Sequence, residues 1–155
     1  MRRSALYLVL LAFVLVPLAL AEEAPEDATA VCSFADDKQF SVHYTRAVMS
    51  KGKEDVPSGR VWAPNDTPMG LFLETPLVLN DVTIPTGGYT MYLMGGKDTW
   101  TVIVSKNVTL GSKYDQTQDL ARASMQTAKL PQPQKEFDIY FGKNGPKSCE
   151  MRVLC

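Results

Sequence analysis

Alternation of apolar and polar residues is the dominant pattern along this chain, and it predicts β-strands. The runs 89–93 (YTMYL) and 100–105 (WTVIVS) both place apolar side chains at every second position, as on a strand with one buried face. β-Branched and aromatic residues, which suit a pleated surface, fill both runs. Gly95-Gly96-Lys97-Asp98 lies between them and predicts a tight turn whose glycines supply the positive φ that such a turn needs. The stretch 71–105 therefore predicts a core hairpin of an antiparallel sheet.

The same alternation predicts further strands on both sides of this hairpin, separated by clusters of turn residues about every 8 to 12 positions. The segment 114–122 (YDQTQDLAR) is the one plausible helix, and it is short because it has no apolar stripe. The fold class predicted is all-β: an antiparallel β-sandwich, or a partly open barrel, with at most one short helix. Besides the central pair, strands are expected at 30–34, 40–45, 60–62, 71–75, 77–79, 82–84, 123–127, 137–141 and 149–153.

The N-terminus has the pattern of a secretory signal peptide. Arg2 and Arg3 precede an apolar run, and Ala19-Leu20-Ala21 has the small-x-small form of a cleavage site. We expect cleavage after Ala21 and export of the protein to the periplasm or to the extracellular space. The domains expected are a signal peptide at 1–21, a disordered lead-in at 22–29 and a single β-sandwich domain at 30–155.

Charge and hydropathy narrow the classes of partner. The chain has 16 Lys and Arg against 17 Asp and Glu, for a formal net charge of −1, and no basic run. A nucleic-acid partner is therefore not expected. No second apolar segment of spanning length follows the signal peptide, so no membrane span is expected after its cleavage.

Three cysteines fit an oxidising compartment. We favour a disulfide between Cys32 and Cys149, which would close a long loop and tie the first strand to the last. The competitor is Cys149–Cys155; on one extended strand their Cα atoms would lie roughly 20 Å apart, too far for a bond. Cys155 would then be available for intermolecular pairing in a dimer.

His43 is the only histidine. It alternates with the apolar residues of its strand, so it is either exposed to solvent or lines a cleft as a general base, with Arg46 and Asp66 as its companions. No spacing typical of a zinc or calcium site is present, and no metal or other cofactor is expected.

A second group of candidate residues lies in the loop around Trp62. A tryptophan beside short polar residues can stack a sugar ring or anchor a peptide, with Arg60 and Asn65 as polar contacts. The competing interpretation places Trp62 in the core and leaves its neighbours as turn formers.

Several segments resemble a bacterial family of exported proteins, domain-of-unknown-function family 2911. The resemblance covers roughly residues 40–142. It is weaker after Trp62, where the family's Arg-Thr-Gly-Ala-Asn-Glu is replaced by Ala63-Pro64-Asn65-Asp66-Thr67-Pro68, and after Arg46, where the family's proline is replaced by Ala47. It implies a fold and an exported location, but no activity. The matching segments are Tyr44-Thr45-Arg46, Gly59-Arg60-Val61-Trp62, Ile84-Pro85-Thr86-Gly87-Gly88-Tyr89, Trp100-Thr101-Val102-Ile103, and Tyr114-Asp115 with Asp119-Leu120-Ala121-Arg122.

These observations favour a small exported binding or interaction module that recognises a small molecule, a glycan or a protein through its loops. One alternative is an enzyme with a cleft around His43, Arg46 and Asp66. The other is a structural protein of the cell envelope that pairs through Cys155.

Overall fold

The computed structural model of the protein describes residues 26–51, 55–109 and 111–155, which form antiparallel strands joined by turns. The predicted signal peptide, residues 1–21, lies outside the described residues. Within the described part of the chain, no helix is long and apolar enough to cross a membrane. The strands are β1 (Asp27–Ser33), β2 (Gln39–Thr45), β3 (Val61–Trp62), β4 (Met69–Leu73), β5 (Leu77–Leu79), β6 (Val82–Ile84), β7 (Gly87–Met94), β8 (Thr99–Ser105), β9 (Asp119–Gln126), β10 (Asp138–Gly145) and β11 (Ser148–Leu154).

Seven of these strands form the main sheet, in the order β1-β2-β4-β7-β8-β9 with β3 paired to the end of β7. β7 and β8 form its central hairpin, with Thr90 opposite Ser105 and Met94 opposite Thr101. The hairpin predicted from the alternating pattern is therefore confirmed.

Two hairpins, β5–β6 and β10–β11, pack on one face of the main sheet and form the second layer. Leu71, Met91 and Val104 of the sheet are 1–2% exposed. From the second layer, Ile84 and Ile139 pack into the same core, 1% and 3% exposed. The two layers bury one face of each sheet, as in a β-sandwich. The predicted fold class, an all-β antiparallel sandwich, is confirmed, and the described strands do not close into a barrel.

A disulfide joins the two layers. Cys32 on β1 is bonded to Cys149 on β11, with their Cα atoms 6.3 Å apart and 117 positions between them in sequence. This is the pairing that the sequence favoured over Cys149–Cys155. Cys155 is half-buried and packs against the same core.

The first strand begins earlier than expected. Asp27, Ala28 and Thr29 were assigned to a disordered lead-in, but they pair with residues 43–45 of β2. The assignment is wrong for these three residues, because the hydrogen bonds of the neighbouring strand stabilise a segment that lacks large apolar side chains of its own. Residues 22–25 lie outside the described part of the chain.

The segment 114–122, the one plausible short helix in the sequence, is helical over a single turn only. A single 3-10 turn covers Gln116–Gln118, and strand β9 starts at Asp119. The Asp115 side chain accepts a hydrogen bond of 2.9 Å from the Thr117 amide and so caps the turn. Pairing with β8 extends the rest of the segment, since tertiary contacts outweigh a weak helical preference.

The β7–β8 turn requires glycine for close backbone packing and not, as the sequence suggested, for a positive φ. Neither Gly95 nor Gly96 has a positive φ. A Cβ on Gly96 would instead lie 2.2 Å from the Thr99 carbonyl oxygen, so only glycine permits this approach of the backbone. Positive φ occurs in the β5–β6 turn, at Asn80 (47°) and Asp81 (64°), which suits a two-residue hairpin.

Candidate functional site

The face of the main sheet opposite the second layer carries a small second core. Ala63, Tyr92 and Ile103 are buried there, with Val61 and Tyr114 packed around them. The segment after β8 folds back over this face, and the Thr90 hydroxyl donates a hydrogen bond of 2.5 Å to the Asn107 carbonyl oxygen.

A cleft of about 350 Å³ lies beside this second core. Its size falls at the lower end of the range for small-molecule sites. One wall is the segment 61–68, and the other is residues 111–114. Tyr92 lies between the walls, while Asp66 and Lys113 are exposed and bring one negative and one positive charge. The cleft therefore combines an aromatic surface with charges of both signs.

Tyr92 is the most deeply buried aromatic residue lining the cleft, at 5% exposure. Its ring meets that of Tyr114 edge-on, with centroids 5.1 Å apart. The Tyr92 hydroxyl makes no hydrogen bond to another described residue. Burial raises the pKa of Tyr92, and the Asp119 carboxylate adds to this shift. The hydroxyl is therefore protonated at neutral pH and can donate a hydrogen bond.

Three side chains form a compact network behind the cleft. The Tyr114 hydroxyl donates to Asp119 Oδ2 at 2.7 Å, and Arg122 donates to the same oxygen through Nε at 2.9 Å and Nη2 at 2.7 Å. Arg122 Nη2 also donates to the Tyr114 hydroxyl at 2.7 Å. The network fixes the Tyr114 ring, because its hydroxyl both donates and accepts.

This network is suited to hydrogen bonding rather than to base catalysis. Burial, reinforced by the hydrogen bond to Asp119, raises the pKa of Tyr114 to about 12. A phenol with such a pKa stays protonated at neutral pH and cannot act as a general base there. Asp119 Oδ1 is buried and has no hydrogen-bond partner among the described residues.

Trp62, predicted as a ligand platform, packs mainly toward the core. Its partner across the strand pair is Leu93, which is fully buried. The Trp62 ring meets the buried Phe137 ring edge-on, with centroids 5.3 Å apart. Trp62 is half-buried and borders the cleft. The ring contact with Phe137 agrees with the interpretation of Trp62 as a core residue.

The polar residues near Trp62 do not form a single cluster. Arg60 is exposed. Asn65 has a φ of 51° and donates a hydrogen bond of 3.1 Å to the Arg46 carbonyl oxygen, so its side chain holds the turn at Pro64–Asp66. Asp66 lines the cleft.

His43 lies exposed on the outer face of β2. Its Nδ1 is 3.0 Å from the Thr29 hydroxyl, and its Nε2 is 3.1 Å from the Ser41 hydroxyl. Its ring meets Phe72 edge-on at 5.1 Å. Both ring nitrogens therefore already have partners on the surface of the sheet.

Arg46 forms ion pairs with acidic residues and is not among the described residues that line the cleft. Its guanidinium lies 3.4 Å from Glu26 and 4.0 Å from Asp138. The Tyr44 hydroxyl donates to the Asp138 carboxylate and accepts a hydrogen bond of 3.0 Å from the Ile139 amide. Burial, together with Asp138, raises the pKa of Tyr44.

No described contact joins the three weak catalytic candidates to one another. His43 binds hydroxyls on the sheet, Arg46 pairs with Glu26 and Asp138, and Asp66 lines the cleft. Within the described ranges no group of three or more His, Cys, Asp or Glu side chains has the arrangement of a metal site.

The chain is a β-sandwich protein with an aromatic cleft on the outer face of its main sheet. The chain belongs to the family described as "Protein of unknown function (DUF2911)", whose model matches residues 26–154. The resemblance seen in the sequence is therefore confirmed. No curated protein and no solved structure matches the chain.

Reasoning from the sequence did not select Tyr92, Tyr114, Asp119 or Arg122 as site residues. Tyr92 alternates with apolar residues in a strand, which suggests a polar, outward position but no cleft. The other three residues lie in a segment that resembles the family, and that resemblance is the signal that could have found them.

Proposed function

We propose that the protein is a small exported binding module and that the cleft between residues 61–68 and 111–114 is its ligand site. The observation that supports this most directly is the buried Tyr92, whose hydroxyl lacks a described partner while its ring lines the cleft. The hydroxyl is not among the described buried polar atoms that lack a partner, so it is accessible to water or to a ligand in the cleft. A bound ligand could replace that water and accept the hydrogen bond.

The ligand that suits this cleft is a small ring-bearing molecule with hydroxyl groups, such as a sugar or a phenol. Aromatic side chains offer it apolar faces and edges. The Tyr92 hydroxyl gives a hydrogen bond, and the exposed Asp66 and Lys113 give polar contacts at the rim. The opposite charges of these two residues argue against a strongly charged ligand.

Saturation-transfer NMR with a panel of mono- and disaccharides and simple phenols tests the proposal. For a compound that binds, Tyr92→Phe removes only the hydroxyl and is expected to weaken binding about threefold to tenfold, the effect of one hydrogen bond. Tyr140→Phe, at an exposed position of β10 outside the cleft, is the matched control and is expected to leave binding unchanged. Ser112→Trp adds a large side chain to the wall of the cleft and is expected to weaken binding. Equal affinity in the wild-type, Tyr92→Phe and Ser112→Trp proteins would place the ligand elsewhere and contradict the proposal.

The exported location is part of the same proposal. A disulfide such as Cys32–Cys149 persists in oxidising compartments, and the N-terminal pattern suits a signal peptide. Mass spectrometry of the protein recovered from its host is expected to give a chain that begins at Glu22 and contains the disulfide. A chain that retains residues 1–21 in the cytoplasm would contradict export.

A further inference from the structure

A second concave surface lies between the two layers of the sandwich, on the opposite face of the main sheet from the cleft. It is a groove of about 270 Å³. Its floor is formed by core positions of the main sheet, and its walls are the β5–β6 and β10–β11 hairpins. It shares no lining residue with the cleft.

The groove is lined almost completely by apolar side chains. Asn80 and Ser124 are the polar residues of its lining, and no charged residue is among the described residues that form it. Ser124 alternates out of the core on strand β9, opposite Thr101 of β8. An ion would lose its hydration in such a groove without gaining a partner, so the lining favours an uncharged molecule.

Three methionines contribute to this one groove: Met91 from the main sheet, Met125 from its edge strand and Met151 from the second layer. The whole sequence contains seven. A thioether chain is unbranched and polarizable, so it adapts its shape to different apolar partners and is common at adaptable binding surfaces. The methionines therefore favour a flexible aliphatic partner over a rigid one.

The walls of the groove differ in how firmly they are held. The β10–β11 wall is bonded covalently to the main sheet through Cys32–Cys149. The β5–β6 wall has two strands of three residues, and its tip is held to β9 by a hydrogen bond of 3.4 Å from the Asn80 side chain to the Arg122 carbonyl oxygen. The β5–β6 hairpin is thus the wall that can yield when a molecule enters.

We propose that this interlayer groove binds a neutral aliphatic molecule, with its alkyl chain between Met91, Met125 and Met151. The size is adequate, because an apolar cavity of about 150 Å³ already accepts benzene. Apolar contact with both layers would supply the binding free energy, and Asn80 at the rim can contact a hydroxyl end group.

Titration of the disulfide-bonded protein with 1-octanol, followed by NMR of methyl-labelled methionines, tests this proposal. Saturable shifts are expected for the methyl groups of Met91, Met125 and Met151, and none for Met49 and Met94, which lie outside the groove. Octanoate at neutral pH is the matched ligand, and its negative charge is expected to weaken binding at least about tenfold. Shifts of similar size at these five methionines, no shift, or tighter binding of octanoate would overturn the proposal.

A variant gives a second, independent readout. Met125→Trp places a larger side chain in the groove and is expected to weaken 1-octanol binding at least about tenfold. Val48→Trp, at a site 81% exposed and outside the groove, is the control and is expected to bind normally. If Met125→Trp does not fold, the wild-type titration alone decides the question. Methionine shifts that depend on protein concentration without any ligand would show that a second copy covers the groove, which would also overturn the proposal.

Discussion

Asp119 and Arg122 lie on the same face of strand β9 although they are three positions apart. In a regular strand such residues point to opposite faces. Asp119 pairs with Ser105 and Arg122 with Ile103, and the register shifts between them so that Leu120 has no opposite residue. This β-bulge brings the guanidinium to within 2.7 Å of the carboxylate.

The bulge therefore builds the network behind the cleft. It places Asp119 where Tyr114 and Arg122 both donate to a single carboxylate oxygen. The Tyr114 ring, fixed in this way, forms part of the cleft lining next to Tyr92. The arrangement of the candidate site thus depends on one irregular position in one strand.

Asp119→Asn is expected to destabilise the protein by about 1–3 kcal/mol. It removes the negative charge of a largely buried carboxylate whose Oδ2 accepts three hydrogen bonds. Urea unfolding at pH 7 measures this change. Asp115→Asn is the matched control: Asp115 is exposed and caps a 3-10 turn, a role that asparagine fills equally well. Equal stability of the two variants would show that the network contributes nothing.

Stability is expected to fall as the pH rises from about 10 to about 12. Burial and the hydrogen bond to Asp119 raise the pKa of Tyr114 from 10.0 to about 12. Because the folded protein then holds this proton more tightly than the unfolded chain, the stabilisation is complete below pH 10 and is lost as pH rises through the folded pKa. Burial also raises the pKa values of Tyr44 and Tyr92, so these residues act in the same direction.

The free energy of unfolding measured across this pH range is expected to decline less steeply in Tyr114→Phe than in the wild type. Tyr140→Phe, at an exposed position, is the control and should keep the wild-type slope. An unchanged slope in Tyr114→Phe would mean that this hydroxyl does not titrate differently on folding.

Loss of the disulfide is expected to destabilise the protein by about 2–5 kcal/mol, since the bond closes a loop of 117 positions. Thermal unfolding of Cys32→Ala, compared with the wild type in the absence of reductant, measures the effect. The control is Cys155→Ser, which leaves the pair intact. Peptide mapping that finds Cys149 bonded to Cys155 in the wild-type protein would refute the pairing.

Phe137→Ala is expected to cost about 3–5 kcal/mol, because the ring is fully buried between Tyr44 and Trp62. Phe72→Ala is the same substitution at a ring that is 52% exposed on the outer face, and about 1 kcal/mol or less is expected there. Chemical unfolding of both variants gives the comparison. Similar losses at the two sites would argue against the layer arrangement described above.

Much of the fold can be predicted from the sequence, because strand signals are local. The period-two runs at 89–93 and 100–105 coincide with β7 and β8, and the Asn80-Asp81 turn lies between β5 and β6. The start of β1 was predicted wrongly, and only one turn of 114–122 is helical, for a shared reason. Each segment has a weak local preference, and a neighbouring strand decides its conformation.

The candidate site was harder to predict than the fold. Tyr92 and Tyr114 meet because the loop after β8 folds back over the sheet, and no pattern within either segment indicates that contact. For His43, Arg46 and Asp66, the sequence suggested a shared site, but no described contact joins them. Their residue types suggest chemistry, but strand direction and side-chain pairing give each of them different neighbours.

The sequence by itself determined the all-β class and the central hairpin, which follow from alternation and turn residues read in order along the chain. A resemblance of motifs indicated the family, and the sequence favoured Cys32–Cys149 without excluding Cys149–Cys155. Only the tertiary structure decided which side chains share a cleft, that Trp62 meets Phe137, and that a bulge at Leu120 aligns Asp119 with Arg122. Such contacts join residues from separate strands, and they depend on register and layer packing, which no single segment encodes.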